Sequence, residues 1–146
     1  ATGLIMGLSE SLRMMKNEGL QNIFKRHEIL ALATRNAVSA LGLELLAKKS
    51  PSPAVTAVLV PNTILDGKKI PKLMREKYGV TIAGGQDELE GKIFRLSHFG
   101  YCGIFDITTG IAALELALQE LGHSVTLGTG VGAALKTFSD QGFPQS

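Results

Sequence analysis

The chain is poor in sulfur and in aromatic rings. Among 146 residues there is one cysteine, Cys102, and no tryptophan, and aromatic residues make up 5%. A single thiol can form neither an internal disulfide nor a cysteine-rich metal site, and it fits a reducing compartment such as the cytoplasm. Charge of one sign is also lacking: 15 basic against 13 acidic side chains leave a formal net charge of +2. Nucleic-acid and anionic-membrane binding need a clustered positive patch, and the densest basic groups here are only the doublets Lys48-Lys49 and Lys68-Lys69. No apolar run approaches the ~20 residues of a membrane-spanning helix, and no signal peptide is visible at the start. These absences argue against nucleic-acid and membrane partners.

What is present is the composition of a globular domain, 45% hydrophobic and 19% charged. A chain of this length buries roughly 68–70% of the surface its unfolded form exposes. It opens at Ala1 and runs at once into Leu4, Ile5, Met6, Leu8 and Leu12. A helix that is apolar nearly all round expects cover on every side, so this segment is read as one whose packing partner lies upstream.

Periodicity predicts a first helix from Leu4 to Asn17, interrupted by Gly19, and a second from Leu20 to Leu41, with Gly42 as its end cap. The second carries Leu20, Ile23, Leu30, Thr34, Val38 and Leu41 on one stripe. Leu43 to Ala47 is a candidate strand, and Pro51 and Pro53 make 48–54 a loop. Val55 to Val60 is a strand closed by Pro61. Asp66 caps a helix carrying Ile70, Leu73, Met74 and Tyr78 and ending at Gly79, with Pro71 restricted to its first turn. Val80 to Ala83 and Ile93 to Ser97 are short strands. Asp106 caps a long helix with Ile107, Ile111, Leu114, Leu118 and Leu121 on one face, and a last helix covers Val131 to Phe138. The tail from Gly142 is expected to fray. The fold class is therefore α/β of the α+β kind. Two N-terminal helices precede an open, mostly antiparallel sheet of about four strands, with helices on one face.

Most candidate sites have a bland reading that outweighs the functional one. Gly128-Thr129-Gly130-Val131-Gly132 follows a possible strand at Ser124–Leu127. A dinucleotide fingerprint needs its third glycine one position later and an acidic residue about 20 residues on, so a glycine-rich connector is the better description. Gly84-Gly85 suits either close approach to a ligand or a tight loop. His27, His98 and His123 match no zinc spacing. Cys102 and His98 lie four residues apart, but nothing orients them as a nucleophile and its base. Arg95 is more informative. Alternation puts Ile93, Arg95 and Ser97 on one face of their strand and Phe94, Leu96 and His98 on the other. An arginine inside an apolar strand must reach solvent or an anion, and its planar fork suits a carboxylate. A surface arginine or an internal ion pair remains open.

Around this strand the segment from Gly84 to Gly100, with Gly91-Lys92 ahead of Ile93-Phe94-Arg95, is similar to a stretch of class V aminotransferases. These are of the serine–pyruvate and alanine–glyoxylate type and include soluble hydrogenase small-subunit-like proteins. Glu18-Gly19-Leu20, Arg26-His27, Ala40-Leu41-Gly42-Leu43 and Val55-Thr56-Ala57-Val58 with Pro61 extend the resemblance over nearly the whole chain. It implies a fold-type-I, pyridoxal-phosphate-dependent transaminase, typically a homodimer, of which this chain is the carboxy-terminal small domain. Residues 1–19 would then be the connecting helix from the missing large domain and 20–146 the small domain. By resemblance Arg95 grips the substrate α-carboxylate, the substrates being a small amino acid and a 2-oxo acid. The Schiff-base lysine and the other cofactor contacts belong to the large domain. Lys92 matches only the small-domain pattern and is expected to be exposed. The chain then carries no catalytic or cofactor-binding residue of its own and is expected to be inactive alone. A stand-alone small-molecule-binding or dimerisation domain is the alternative.

Overall fold

The computed structural model describes residues 1–142; the end of the expected frayed tail lies outside the described residues. Helix α1 spans Thr2–Glu18 and helix α2 spans Leu20–Ala40. They are separated at Gly19, whose φ of +84° a side-chain-bearing residue rarely adopts. Strand β1 is Val55–Leu59, α3 is Lys69–Tyr78, β2 is Ala83–Gly84, β3 is Ile93–Ser97, α4 is Ile104–Glu120 and α5 is Thr129–Gln141. A 3-10 turn at Asp87–Leu89 precedes β3.

The strands form one three-stranded sheet in the order β1-β3-β2, antiparallel throughout. Arg95 sits in the middle strand, opposite Ala57 on one side and Ala83 on the other. Helices α2 and α4 pack together, α2 against β1, and α5 lies along both helices. Val58, Phe94 and Leu96 enter the same core as Leu30, Val38, Leu114 and Leu118. The expected alternation along β3 holds from Phe94 on, while Ile93, expected on the Arg95 face, is itself buried. Phe94, Leu96 and His98 face the helices, while Arg95 is half-buried and Ser97 exposed.

The sheet has three strands where about four were expected: one expected strand is lost and another is shortened. Leu43–Ala47 shrinks to one bridge, Leu45 with Val58, flanked by Leu46 N–H to Ala57 C=O at 3.0 Å and Leu59 N–H to Glu44 C=O at 2.8 Å. Leu46 is already 42% exposed, so this edge has no second apolar face to extend, and Pro51 and Pro53 then deny it donors. Val80–Ala83 joins the ladder only at its last residue. The Val80 N–H instead donates to Met74 C=O at 3.0 Å, closing α3 behind the left-handed Gly79. Ser124–Leu127 forms no strand either: His123 N–H bonds back to Leu118 C=O and Thr129 N–H to Thr126 C=O. Helix α4 starts at Ile104, so Asp106 is not its N-cap; it is the third helical residue, and its carboxylate accepts the Gly103 N–H at 2.8 Å.

Helix α1 buries none of its residues. Leu4, Ile5, Met6, Leu8 and Leu12 are 54–78% exposed. The apolar pattern that predicted cover on every side finds α2 as its principal neighbour among the described residues.

Candidate functional site

Arg95 lines a cavity of about 370 Å³ between β3, the segment 80–83 and the first turns of α4. Asp106, Ile107, Gly110, Thr34 and Thr81 line it as well. Its position comes from the sheet, because β3 is paired on both edges, so the arginine's backbone is held from two sides. The side chain is braced once more: Nε donates to the Gly84 carbonyl at 2.9 Å. No acidic side chain pairs with Arg95 among the described residues. Among the described residues the internal ion pair left open by the sequence is thus not formed, and the fork beyond Nε has no protein acceptor. A guanidinium oriented by one backbone bond, with its remaining donors unused beside a cavity, is suited to binding a planar anion such as a carboxylate.

Gly84-Gly85 serves this bracing. A Cβ on Gly85 would lie 1.9 Å from the Leu89 carbonyl oxygen, so only glycine lets the 3-10 turn close against β2, and Gly85 N–H bonds to Ile93 C=O at 3.0 Å. The pair forms a tight loop.

The other candidates are placed elsewhere. His98 is fully buried, its Nε2 2.9 Å from Thr56 Oγ1. Burial, reinforced by the charge of Arg35, pushes its pKa down to about 4. Among the described residues Arg35 Nη1 is a buried nitrogen without a hydrogen-bond partner. Cys102 makes no bond with His98, and burial together with Asp106 pushes its thiol up, the wrong direction for a nucleophile. His27 approaches the Gly100 carbonyl at 3.3 Å and His123 meets Thr63 at 2.8 Å. Among the described residues no group of three or more His, Cys, Asp or Glu side chains is placed to hold a metal, and no helix is long and apolar enough to cross a membrane.

Two residues to which the sequence pattern assigned no role organise the surroundings. Glu115 lies on the apolar face of α4 and is 3% exposed. Its carboxylate accepts the backbone N–H groups of Gly128, Gly130 and Val131 at 2.6, 2.7 and 3.1 Å. The glycine-rich segment therefore binds an anion, but the anion is the chain's own side chain seated at the N-terminus of α5. A charge four residues after Ile111 within an apolar stripe was the available signal. Arg26 is the second. Nε and Nη2 donate to the Glu18 carboxylate at 2.6 and 3.0 Å, and Nη1 donates to the carbonyls of Gly100 and Cys102 at 2.8 and 3.0 Å. This bonding holds Glu18 below the usual carboxylate range. Arg26 falls three residues after Ile23 and three before Ile29, on the buried face of α2.

The central strand of a small antiparallel sheet thus carries one braced arginine, packed under helices and preceded by a long exposed helix. The chain is 46% identical over 139 residues to the soluble hydrogenase 42 kDa subunit of Anabaena cylindrica, covering 94% of this chain and 36% of that protein. It is 40% identical over 141 residues to the serine–glyoxylate aminotransferase of Hyphomicrobium methylovorum, covering 95% and 35%. The crystal structure of ureidoglycine–glyoxylate aminotransferase from Bacillus subtilis superposes with a TM-score of 0.82 at 31% identity, over 87% of this chain and 33% of that one. No family profile matches the chain. In sequence and in fold the chain is similar to the small carboxy-terminal part of class V aminotransferases, and it spans about a third of the length of the relatives it matches.

The lysines of this chain do not fit the role of anchoring pyridoxal phosphate. Every one of them is exposed, Lys92 included as expected, and Lys48, Lys68, Lys77 and Lys136 are engaged in ion pairs. A lysine that forms a Schiff base is commonly desolvated so that its amine is neutral.

Proposed function

We propose that the complete protein is a pyridoxal-phosphate-dependent class V transaminase that moves an amino group between a small amino acid and a 2-oxo acid. In this reading the present chain is its substrate-clamping carboxy-terminal domain, with residues 20–146 as the small domain. Residues 1–19 are the connecting helix, whose exposed apolar side chains are covered by the rest of the protein or by a second copy in a homodimer. The cofactor is held by the part outside this chain, and the chain alone is inactive. The single cysteine fits a cytoplasmic setting.

The observation that carries the proposal is Arg95: braced by Gly84, unpaired, and lining a cavity. It binds the α-carboxylate and fixes the orientation of the bonds at Cα before any chemistry occurs, a positioning contribution. A charge-assisted hydrogen bond is worth about 1.5–3 kcal/mol, so Arg95→Ala in the complete protein lowers kcat/KM by roughly ten- to a hundredfold or more. Unchanged kcat/KM with an amino donor removes Arg95 from this role. Mixing the 146-residue chain with pyridoxal phosphate yields no stable long-wavelength absorbance band; such a band would place the anchoring lysine in this chain after all.

A further inference from the structure

Arg26 is 9% exposed and spends its whole guanidinium on protein partners. One side chain on α2 thereby joins the last residue of α1, Glu18, to the loop that leads from β3 into α4. The join straddles Gly19, where the backbone breaks between α1 and α2. Since α1 buries no residue of its own, this fork is a principal polar tie between α1 and the body of the domain.

The far end of the tie reaches the cavity. Cys102, whose carbonyl Arg26 holds, precedes Gly103. The Gly103 N–H is held by Asp106 Oδ2 at 2.8 Å, and its carbonyl accepts the Ile107 N–H at 3.4 Å. Asp106, Ile107 and Gly110 line the cavity from α4, and Arg95 lines it from β3. The two sides are fixed by different means. Arg95 is set by a ladder paired on both edges. The first turn of α4 follows a loop that has a glycine at Gly100 and Gly103 and is held from α2 by Arg26. A bidentate guanidinium–carboxylate pair has a defined geometry, so a change in the direction of α1 about Gly19 is carried through Glu18 and Arg26 to that loop.

We propose that Arg26 is a positioning residue of the substrate site. Through Cys102 and Gly103 it sets where the first turn of α4 stands relative to Arg95, and through Glu18 it makes that placement depend on how α1 leaves the domain. The proposal rests on the reading of Arg95 as the carboxylate site.

Backbone hydrogen exchange on the 146-residue chain tests the tie without any catalysis. Arg26→Met removes all four bonds, and the Gly103 and Ile107 amides then exchange about tenfold faster or more while amides of the β1–β3 ladder keep their rates. Glu18→Gln leaves the carbonyl bonds in place but weakens the ion pair, and it produces a smaller acceleration at the same two amides. No acceleration at Gly103 and Ile107, or an equal acceleration across ladder and loop alike, overturns the proposal. In the complete protein Arg26→Met raises KM for the amino donor by about tenfold and changes kcat by less than about threefold, with partial recovery in Arg26→Lys. If Arg95→Ala leaves kcat/KM unchanged while Arg26→Met still frees the loop selectively, the carboxylate reading has failed and the tie stands. If Arg95→Ala lowers kcat/KM but Arg26→Met alters neither exchange nor KM, the tie has failed.

Discussion

The carboxylate of Glu115 accepts the backbone N–H of Gly130 at 2.7 Å, from one helix to the start of the next. Gly130 leaves room for this approach: a Cβ there would stand 3.0 Å from Glu115 Oε1, Ile111 Cγ2 and Leu41 Cδ1 at once, so those side chains would have to give way. Glu115→Ala leaves three amides at the N-terminus of α5 without their acceptor, and the chain should lose about 3 kcal/mol of stability. Glu115→Gln keeps the shape and one acceptor and should lose about half as much. Urea unfolding of the three proteins checks the order; equal midpoints for wild type and Glu115→Ala would refute it.

Gly85→Ala should be costly for a different reason. Its Cβ would meet the carbonyl oxygen of Leu89 at 1.9 Å, and a backbone atom cannot step aside as a side chain does. About 2–3 kcal/mol should be lost as the turn before β3 opens. In the complete protein the same change should weaken amino-donor binding, because the Gly84 carbonyl that braces Arg95 moves with the turn. A variant as stable as wild type in thermal unfolding would contradict the packing argument.

His98 makes stability depend on pH in a defined window. Folding lowers its pKa from 6.5 to about 4, so below 6.5 the unfolded chain binds a proton that the folded chain resists. The contribution is complete above pH 6.5 and is lost as pH falls from there towards 4, up to about 3 kcal/mol in all. Urea midpoints between pH 4.5 and 7.5 should fall on the acid side in wild type and fall less in the double variant His98→Phe with Thr56→Val, which removes the hydroxyl partner too. Parallel curves would assign the acid sensitivity to the carboxylates instead.

Helix α1 should be dispensable for the fold of the rest. None of its residues is buried, so deleting 1–17 while keeping Glu18 for Arg26 should cost less than about 1 kcal/mol. The same deletion should reduce any self-association seen by sedimentation, since it removes Leu4, Ile5, Met6, Leu8 and Leu12 from the surface. A collapse of the far-ultraviolet helical signal beyond the deleted residues would show that α1 belongs to the domain core.

Much of the architecture was legible along the chain because the signals were local. Gly19, Gly42 and Gly79 punctuate helices by backbone conformations that other residues resist, and the period-2 pattern of β3 separates its faces from Phe94 to Ser97 as the structure does. What failed was strand length. Whether Leu45 or Ile82 pairs with a neighbour depends on a partner strand distant in sequence, and the Val80 N–H was already taken by the end of α3. Apolar content alone does not distinguish a ladder from a packed loop.

The sequence by itself determined where helices and strands begin, which face of β3 enters the core, and that Arg95 stands off that face. Spacing and backbone preference decide these within a few residues. Tertiary structure alone decided that Arg95 has no internal anion among the described residues, that the glycine-rich segment is filled by Glu115, and that Arg26 ties α1 to the entrance of α4. The last two are meetings of polar groups 8 to 76 residues apart, and a buried charge selects its partner by distance and desolvation, quantities that exist only once the chain has folded.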